Sequence, residues 1–538
     1  MMRAVLPYVV VVVVCLAMPL VFQPHSGGDT AVYAADIFRA DERVGGVSRL
    51  WEFGHLLWRP LGLVTWRLLP LGEGEGGIVR ALLLLNLLSM AGAGCMAAAL
   101  ARQCGVGARG SLLLALLLLL LNPVLNYGLT GNAYVPGLFA QLAAAWFLLR
   151  MGERTDWRAV TGAGLCLAAS VLLWFPYVLT SLGLVALGRL RGRSWAGPAA
   201  ALVLAGAATV GVYGVVAVAN DFATPEKFMA WFRDASHGWD QNKKLLRLPN
   251  GFARAFISLG NDGLLIKRFL LRDPYAPVSP AQLVSGGLWK IPMMAMLFAA
   301  LLWALPRHTW ARPLGMALTL AWVPLLLFSV VLFEPGSPER MMPAFAPTLV
   351  AGAAVASKWD RRRAAERVLA AGWLVVVLVN VWTYRKIGDP VRGAAETRIA
   401  AIAPKLTAHS RVVLISTTND EIATYYGRYV LVSASGRLPV YHLVEINLRQ
   451  KGTWRTRFAD VATATWAKGG DVWVSRRLWR ARPEPQWNWA EGDDPTVRWR
   501  DFPAYFGRLE VEDEAGGEDG FVRLKKSDAN QAVIALGQ

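Results

Sequence analysis

Long apolar runs recur along the first 384 residues of the chain and stop there. Eleven stretches, at approximately 4–22, 78–100, 111–128, 132–149, 158–173, 175–190, 197–219, 287–305, 313–332, 341–357 and 367–384, read as membrane-crossing helices. A helix needs about 20 apolar residues to cross the roughly 30 Å hydrocarbon core of a bilayer. Polar positions collect in short connections and in three larger pieces, 23–77, 220–286 and 385–538. The last piece has a different pattern. Arg411–Ser416 (RVVLIS), Tyr429–Ser433 and Asp471–Ser475 (DVWVS) predict short strands, and Asn419–Tyr426 predicts the start of a helix. Strands alternating with helical stretches suggest an open α/β layer. Glu510–Asp519 is acidic and Gly-containing, and reads as a solvated loop. The expected fold is a polytopic α-helical membrane protein of about 11 transmembrane helices over 1–384, with a small α/β domain over 385–538.

Composition agrees with this pattern: 55% of the 538 residues are hydrophobic, 17% are charged, and the mean hydropathy is +0.36. That is too apolar for a soluble enzyme. The formal net charge of +18 would suggest nucleic acid in a soluble protein. From Arg385 onward, however, 23 Lys/Arg face 19 Asp/Glu, so +14 belongs to the membrane part. With the N-terminus inside, the inward loops hold Arg102 and Arg109; Arg150, Arg154 and Arg158; Arg189, Arg191 and Arg193; Arg307 and Arg312; and Lys358, Arg361, Arg362, Arg363 and Arg367. The short outward connections Gly128–Gly131 and Trp174–Pro176 carry no charge, and Glu334–Arg340 carries one arginine against two glutamates. This is the positive-inside pattern of a multi-pass membrane protein, and no nucleic-acid partner is expected. It places 23–77, 220–286 and the C-terminal domain outside. Met1–Phe22 reads either as a cleaved signal peptide or as a retained first helix, and both put residue 23 onward outside. The four cysteines, Cys15, Cys95, Cys104 and Cys166, lie in or beside apolar stretches, so the C-terminal domain has neither a disulfide framework nor a Cys-based zinc site.

Three outer constellations carry candidate chemistry. The first follows the first apolar stretch, where Asp29 comes after Gly27–Gly28. An ionisable group at the membrane boundary is a functional candidate, because a charge beside lipid is costly unless used or paired. Asp29 equally suits the N-cap of the helical stretch TAVYAADIFRA, and the two roles are compatible. Asp36 and Asp41 read as solvated or paired with Arg39 and Arg43, and Glu52 and His55 as possible additional site groups. The stretch GHLLWRPLGLVTWRLLPLG is amphipathic and suits the interface. In the second constellation, Lys243, Lys244 and Arg247 form a basic cluster suited to a lipid phosphate or pyrophosphate, or to unspecific attraction by anionic headgroups. His237 and Asp234 are weaker candidates there. The third is EPGSPERMMPAFAP, in which Arg340 suits either a headgroup-level phosphate or an ion pair with Glu334 or Glu339.

An Asp just past the first helix, an amphipathic first outer loop, many helices, a late arginine opening a Pro-containing helix and an outer C-terminal domain occur together. The combination resembles the GT-C class of integral-membrane glycosyltransferases, especially its protein O-mannosyltransferase-like and aminoarabinose transferase-like members. Local echoes are SGGDTAVYAADIF, LLWRPLGLVTWRLL, GLTGNAYVPGLFAQLAAAWFLL and PERMMPAFAP. The resemblance covers roughly residues 1–384 and implies a polyprenyl-phosphate-sugar donor, with Asp29 as general base and Arg340 on the donor phosphate, assisted by Lys243, Lys244 and Arg247. The chain departs from the class in two places: Asp29 is followed by Thr30 where many relatives have a second acidic residue, and their His-Pro-Pro segment survives only as His55 with Pro60 beyond it. These departures bear on His55 and on metal dependence. No metal ligands are assigned and no cofactor is expected, with a divalent metal left open.

The resemblance implies an inverting displacement on the outer face of the cytoplasmic membrane. An acceptor hydroxyl on a lipid, glycan or protein would attack the anomeric carbon while the lipid phosphate leaves, its charge stabilised by fixed cations. Membrane lipids are the other expected partners. The rival readings are a multi-pass transporter or flippase, a lipid-linked polysaccharide polymerase or ligase, and a non-catalytic scaffold. Against a transporter, the apolar stretches hold almost no charge and show no paired broken helices in matching halves.

Overall fold

The computed structural model describes residues 2–22, 28–41, 50–151, 156–190, 194–234, 245–259, 265–266, 269, 277–285, 287–304, 311–331, 335–357, 365–416, 440–444, 454–480 and 498–535. Every one of the eleven apolar stretches is built largely of helix where it is described. In chain order the helices of the first half are α1 (Met2–Val21), α2 (Gly28–Asp41), α3 (Trp58–Leu68), α4 (Gly74–Gln103), α5 (Ala108–Leu119), α6 (Asn122–Gly128), α7 (Tyr134–Arg150), α8 (Trp157–Leu173), α9 (Ser181–Leu187) and α10 (Ala196–Ala219). They continue with α11 (Pro225–Asp234), α12 (Leu248–Arg254), α13 (Pro280–Ser285), α14 (Lys290–Ala304), α15 (Ala311–Val331), α16 (Phe345–Ala356) and α17 (Ala365–Ile402). Among the described residues, α4, α10 and α15 are long and apolar enough by themselves to cross a membrane. Several other expected spans are shorter apolar helices, such as Val5–Val21 and Trp157–Leu173.

The stretch expected at 111–128 is broken: α5 and α6 meet at 69°. Pro123 explains the break, because a proline cannot continue the hydrogen-bond ladder of the preceding turn. Backbone groups freed inside a bilayer must find other partners. Here the Asn380 amide, on α17, donates to the carbonyls of Leu120 (2.7 Å) and Phe256 (2.8 Å), and the Asn122 N–H donates to Phe256 O. The side chain of Asn122 donates to the carbonyl of Arg254 and accepts from the Tyr384 hydroxyl at 2.9 Å. The break is therefore a satisfied junction between α6, α17 and the segment following α12.

Helix α17 is 38 residues long and passes residue 384 without interruption, carrying the chain from the apolar bundle to the C-terminal sheet. The sheet has strands β1 (Arg411–Ser416), β2 (Val440–Val444), β3 (Val472–Ser475), β4 (Val511–Ala515) and β5 (Phe521–Leu524), in the order β2-β1-β3-β5-β4. The β1 pairings with β2 and β3 are parallel, and those of β5 with β3 and β4 antiparallel. The helices α18 (Trp454–Ala467), α19 (Asp501–Phe506) and α20 (Asp528–Ala535) complete the layer, with Phe458, Phe502 and Phe506 fully buried. The strands expected at 411–416 and 471–475 form, whereas Tyr429–Ser433 and Asn419–Tyr426 lie outside the described residues.

Half of the acidic stretch read as a solvated loop, Val511–Ala515, is instead edge strand β4. Its charges are those of an exposed sheet edge, a device that discourages further strand pairing. They are also partnered: Asp513 pairs with Lys405 at 2.8 Å, Glu514 with Arg476, and Glu512 with Arg523 at 3.5 Å.

Candidate active site

Asp29 lies in the first turn of α2, and its side chain is exposed. The next residue, Thr30, is fully buried. Its hydroxyl accepts from the Gly131 N–H at 3.0 Å and reaches Asn132 Oδ1 at 3.3 Å. The Gly131–Asn132 turn is held from two further sides, because Trp58 Nε1 donates to Gly131 O (2.8 Å) and Asn86 Nδ2 to Asn132 O (2.7 Å). Gly131 is required for this approach: a Cβ there would lie 2.4 Å from the Thr30 methyl group. Two residues beyond Asn132, Tyr134 opens α7 and donates its hydroxyl to Asp29 Oδ2 at 3.3 Å.

Tyr134 is the centre of an aromatic cluster. Its ring lies 4.6 Å from Trp174, 4.8 Å and perpendicular from Tyr127, and 5.8 Å from His55. Tyr127 in turn donates to Glu339 Oε2 at 2.7 Å, and the Arg340 guanidinium lies over the Trp174 ring at 5.6 Å. Arg340 Nε is 3.8 Å from Glu339 Oε1. Asp29, Glu339 and Arg340 all stand close enough to act electrostatically on the Tyr134 hydroxyl. Residues from the first outer loop and from the late Pro-rich segment thus meet around one tyrosine.

The late segment is a 3₁₀ helix (Pro338–Ala344) leading into α16. Two prolines make it an irregular entry rather than the first turn of an α-helix. It is braced by α12: Arg254 Nη1 donates to Gly336 O at 3.0 Å, and a Cβ on Gly251 would collide with Pro335 O at 1.9 Å. Arg247 is buried beside the same turn, its Nε 3.3 Å from where a Cβ on Gly336 would sit. Lys243, Lys244 and His237 lie outside the described residues, as does Glu334, and the side chain of Asp234 is likewise not described.

The first-loop candidates take supporting places. His55 is buried and donates from Nδ1 to Leu173 O at 3.1 Å, while the Leu57 N–H donates to Leu172 O. Both satisfy carbonyls that the end of α8 would otherwise leave open. Glu52 is also buried and pairs with Arg59 at 2.9 Å; Asp36 pairs with the same guanidinium at 3.2 Å. Burial opposes the charge of Arg59, but Glu52 and Asp36 outweigh it and raise its pKa. Burial, with the Asp29 and Glu52 carboxylates, holds the Tyr33 phenol well above its usual pKa, so it stays neutral. Asp36 therefore pairs with Arg59 on α3, an interaction that spacing within α2 does not disclose. Among the described residues, no group of three or more His, Cys, Asp or Glu is placed to hold a metal ion.

Tyr127, Tyr134 and Trp174 escaped the reading from sequence, as did Arg59. The available signal was position, because all three aromatic residues sit in or beside the short uncharged outward connections at Gly128–Gly131 and Trp174–Pro176.

No protein-family model and no curated protein matches the chain. Among solved structures, ArnT from Cupriavidus metallidurans in the apo state superposes with a TM-score of 0.52 at 14% identity, over 98% of each chain. The oligosaccharyltransferase of Archaeoglobus fulgidus in the apo form gives a TM-score of 0.46 at 13% identity, over 91% of this chain and 71% of that one. ArnT is an aminoarabinose transferase of the GT-C class. By this likeness over 98% of each chain, the chain has a GT-C-like fold.

Proposed function

We propose that the protein is an inverting glycosyltransferase that moves a sugar from a polyprenyl-phosphate donor to an acceptor hydroxyl on the outer face of the cytoplasmic membrane. Residues 1–384 are the catalytic membrane part, and 385–538 an extracytoplasmic domain suited to selecting the acceptor or covering the site. The observation that carries this reading is the convergence of Asp29 and Arg340 on the Tyr134–Trp174 pair. A carboxylate and a guanidinium at one aromatic cluster are the two charges that displacement of a lipid phosphate calls for. The likeness of fold to ArnT supports the same class of reaction.

In this reading Asp29 takes the proton of the acceptor hydroxyl as its oxygen bonds to the anomeric carbon. The bond from that carbon to the phosphate oxygen breaks, its electron pair leaving with the polyprenyl phosphate. Arg340 stabilises the charge that grows on the leaving group. Its guanidinium suits the task because it lies over the Trp174 ring and carries a planar fork of donors that matches a phosphate. Arg247 stands near the turn that sets Arg340; Lys243 and Lys244, close to Arg247 in the sequence, are the further cations this reading assigns to the donor phosphate.

The test is to supply purified protein in proteoliposomes with a panel of radiolabelled polyprenyl-phosphate sugars and an envelope extract as acceptor. Label transferred to the acceptor, with release of polyprenyl phosphate, is the expected result. Intact labelled donor moved across the vesicle wall without transfer would replace this reading with a flippase.

A further inference from the structure

The Thr30 side chain and the Tyr134 hydroxyl do more than pack. Asp29 is exposed at the first turn of α2, where a carboxylate would ordinarily sample several rotamers. Its neighbour is fixed: Thr30 is bound to both residues of the Gly131–Asn132 turn, and Asn86 and Trp58 hold that turn from α4 and α3. The same turn delivers Tyr134, whose ring is wedged between Trp174, Tyr127 and His55 and whose backbone carbonyl accepts from the Tyr177 hydroxyl at 2.7 Å. The phenol is therefore held toward Asp29. It engages Oδ2, and among the described residues no side chain donates to Oδ1.

We propose that Thr30 and Tyr134 are positioning residues for Asp29: Thr30 latches the start of α2 to the Gly131–Asn132 turn, and Tyr134 engages one carboxylate oxygen so that the other faces the acceptor hydroxyl. The proposal rests on the reading of Asp29 as the base. It also gives Thr30 a task of its own at the position where the resemblance leads one to expect a second acid. Through Tyr127 and Glu339, the aromatic cluster that orients Asp29 is tied to the segment bearing Arg340. The base and the phosphate-binding arginine are thereby set against one reference point.

The test compares Thr30→Val, Thr30→Ser and Tyr134→Phe in the full-length protein. Valine keeps the shape of threonine and removes both hydrogen bonds, serine restores the hydroxyl, and phenylalanine keeps the wedged ring. With a polyprenyl-phosphate sugar that the wild type uses, Thr30→Val and Tyr134→Phe are expected to lower kcat on the order of 10-fold or more. The donor KM should stay within about 2-fold in both, and Thr30→Ser should return kcat to near the wild-type value. Hydrogen exchange of the 28–41 peptide gives a readout that needs no activity: faster exchange is expected in Thr30→Val and not in Thr30→Ser. Unchanged kcat in Thr30→Val and Tyr134→Phe, or a Thr30→Ser protein as impaired as Thr30→Val, would overturn the positioning role. If the wild type uses no donor at all, the glycosyltransferase reading falls separately. Exchange then decides the latch, and unchanged exchange in Thr30→Val overturns it.

Discussion

At the scale of single residues, the candidates Asp29 and Arg340 were visible in the sequence, as was Glu339 beside Arg340, but their aromatic partners were not. Asp29 and Arg340 stand out because charges at a membrane boundary are costly and therefore few. Tyr127, Tyr134 and Trp174 do not, because tyrosine and tryptophan at helix ends are what a membrane interface collects in any case. Only the fold shows that Tyr134 touches Asp29 and that Trp174 lies under Arg340. Charge-assisted hydrogen bonds contribute about 1.5–3 kcal/mol each. Arg340→Ala is therefore expected to lower kcat/KM for the lipid donor by roughly 10-fold or more, through both a lower kcat and a higher donor KM, with a smaller change in the KM for acceptor. Arg340→Lys should recover only part of the loss, since lysine keeps the charge without the planar fork that stacks on Trp174. Steady-state kinetics with donor and acceptor varied in turn would check this, and equal effects on both KM values would contradict it.

At the scale of elements, apolar periodicity located the helices well and their interruptions poorly. The stretch read as one span at 111–128 is two helices at 69°. Pro123 was there to be read; what it could not disclose is Asn380, more than 250 residues away in sequence, which takes up the carbonyl of Leu120. The acidic run at 510–519 misled for a related reason. Strand patterns are recognised by an apolar face, and an edge strand such as β4 carries charge to protect itself. The role of Asn380 leads to a stability prediction. Asn380→Leu leaves the carbonyls of Leu120 and Phe256 and the Ser258 N–H without their side-chain partner. Phe256 O keeps the Asn122 N–H, so Leu120 O and the Ser258 N–H are the groups left without the bonds described here, and each unsatisfied buried group costs about 1–3 kcal/mol. A loss on the order of 3 kcal/mol and a Tm lower by several degrees are expected by thermal unfolding in detergent. An unchanged Tm would mean that the junction is held by packing alone.

At the scale of the whole molecule, loop charge predicts which ends of the helices face out, and the site fits that prediction. Asp29, Gly131, Trp174 and Arg340 all belong to connections read as outward, although they are scattered over more than half of the chain. Orientation can be measured with single cysteines in a cysteine-free background. Lys525→Cys, in the C-terminal domain, should react with a membrane-impermeant maleimide in intact spheroplasts, whereas Arg312→Cys, in the first turn of α15 at an end read as inward, should react only after permeabilisation. The reverse pattern would put the site on the cytoplasmic face. The central claim is that this assembly transfers a lipid-linked sugar with Asp29 as its base, and Asp29→Asn tests it most directly. Asp29 lies within the first turn of α2 rather than at the N-cap the sequence suggested; asparagine keeps its size and an accepting oxygen for Tyr134 and removes its basicity. Transfer from a radiolabelled polyprenyl-phosphate sugar should fall by a factor on the order of 10² to 10⁴, while insertion and thermal unfolding remain those of the wild type. An Asp29→Asn protein that transfers sugar at the wild-type rate would contradict the account.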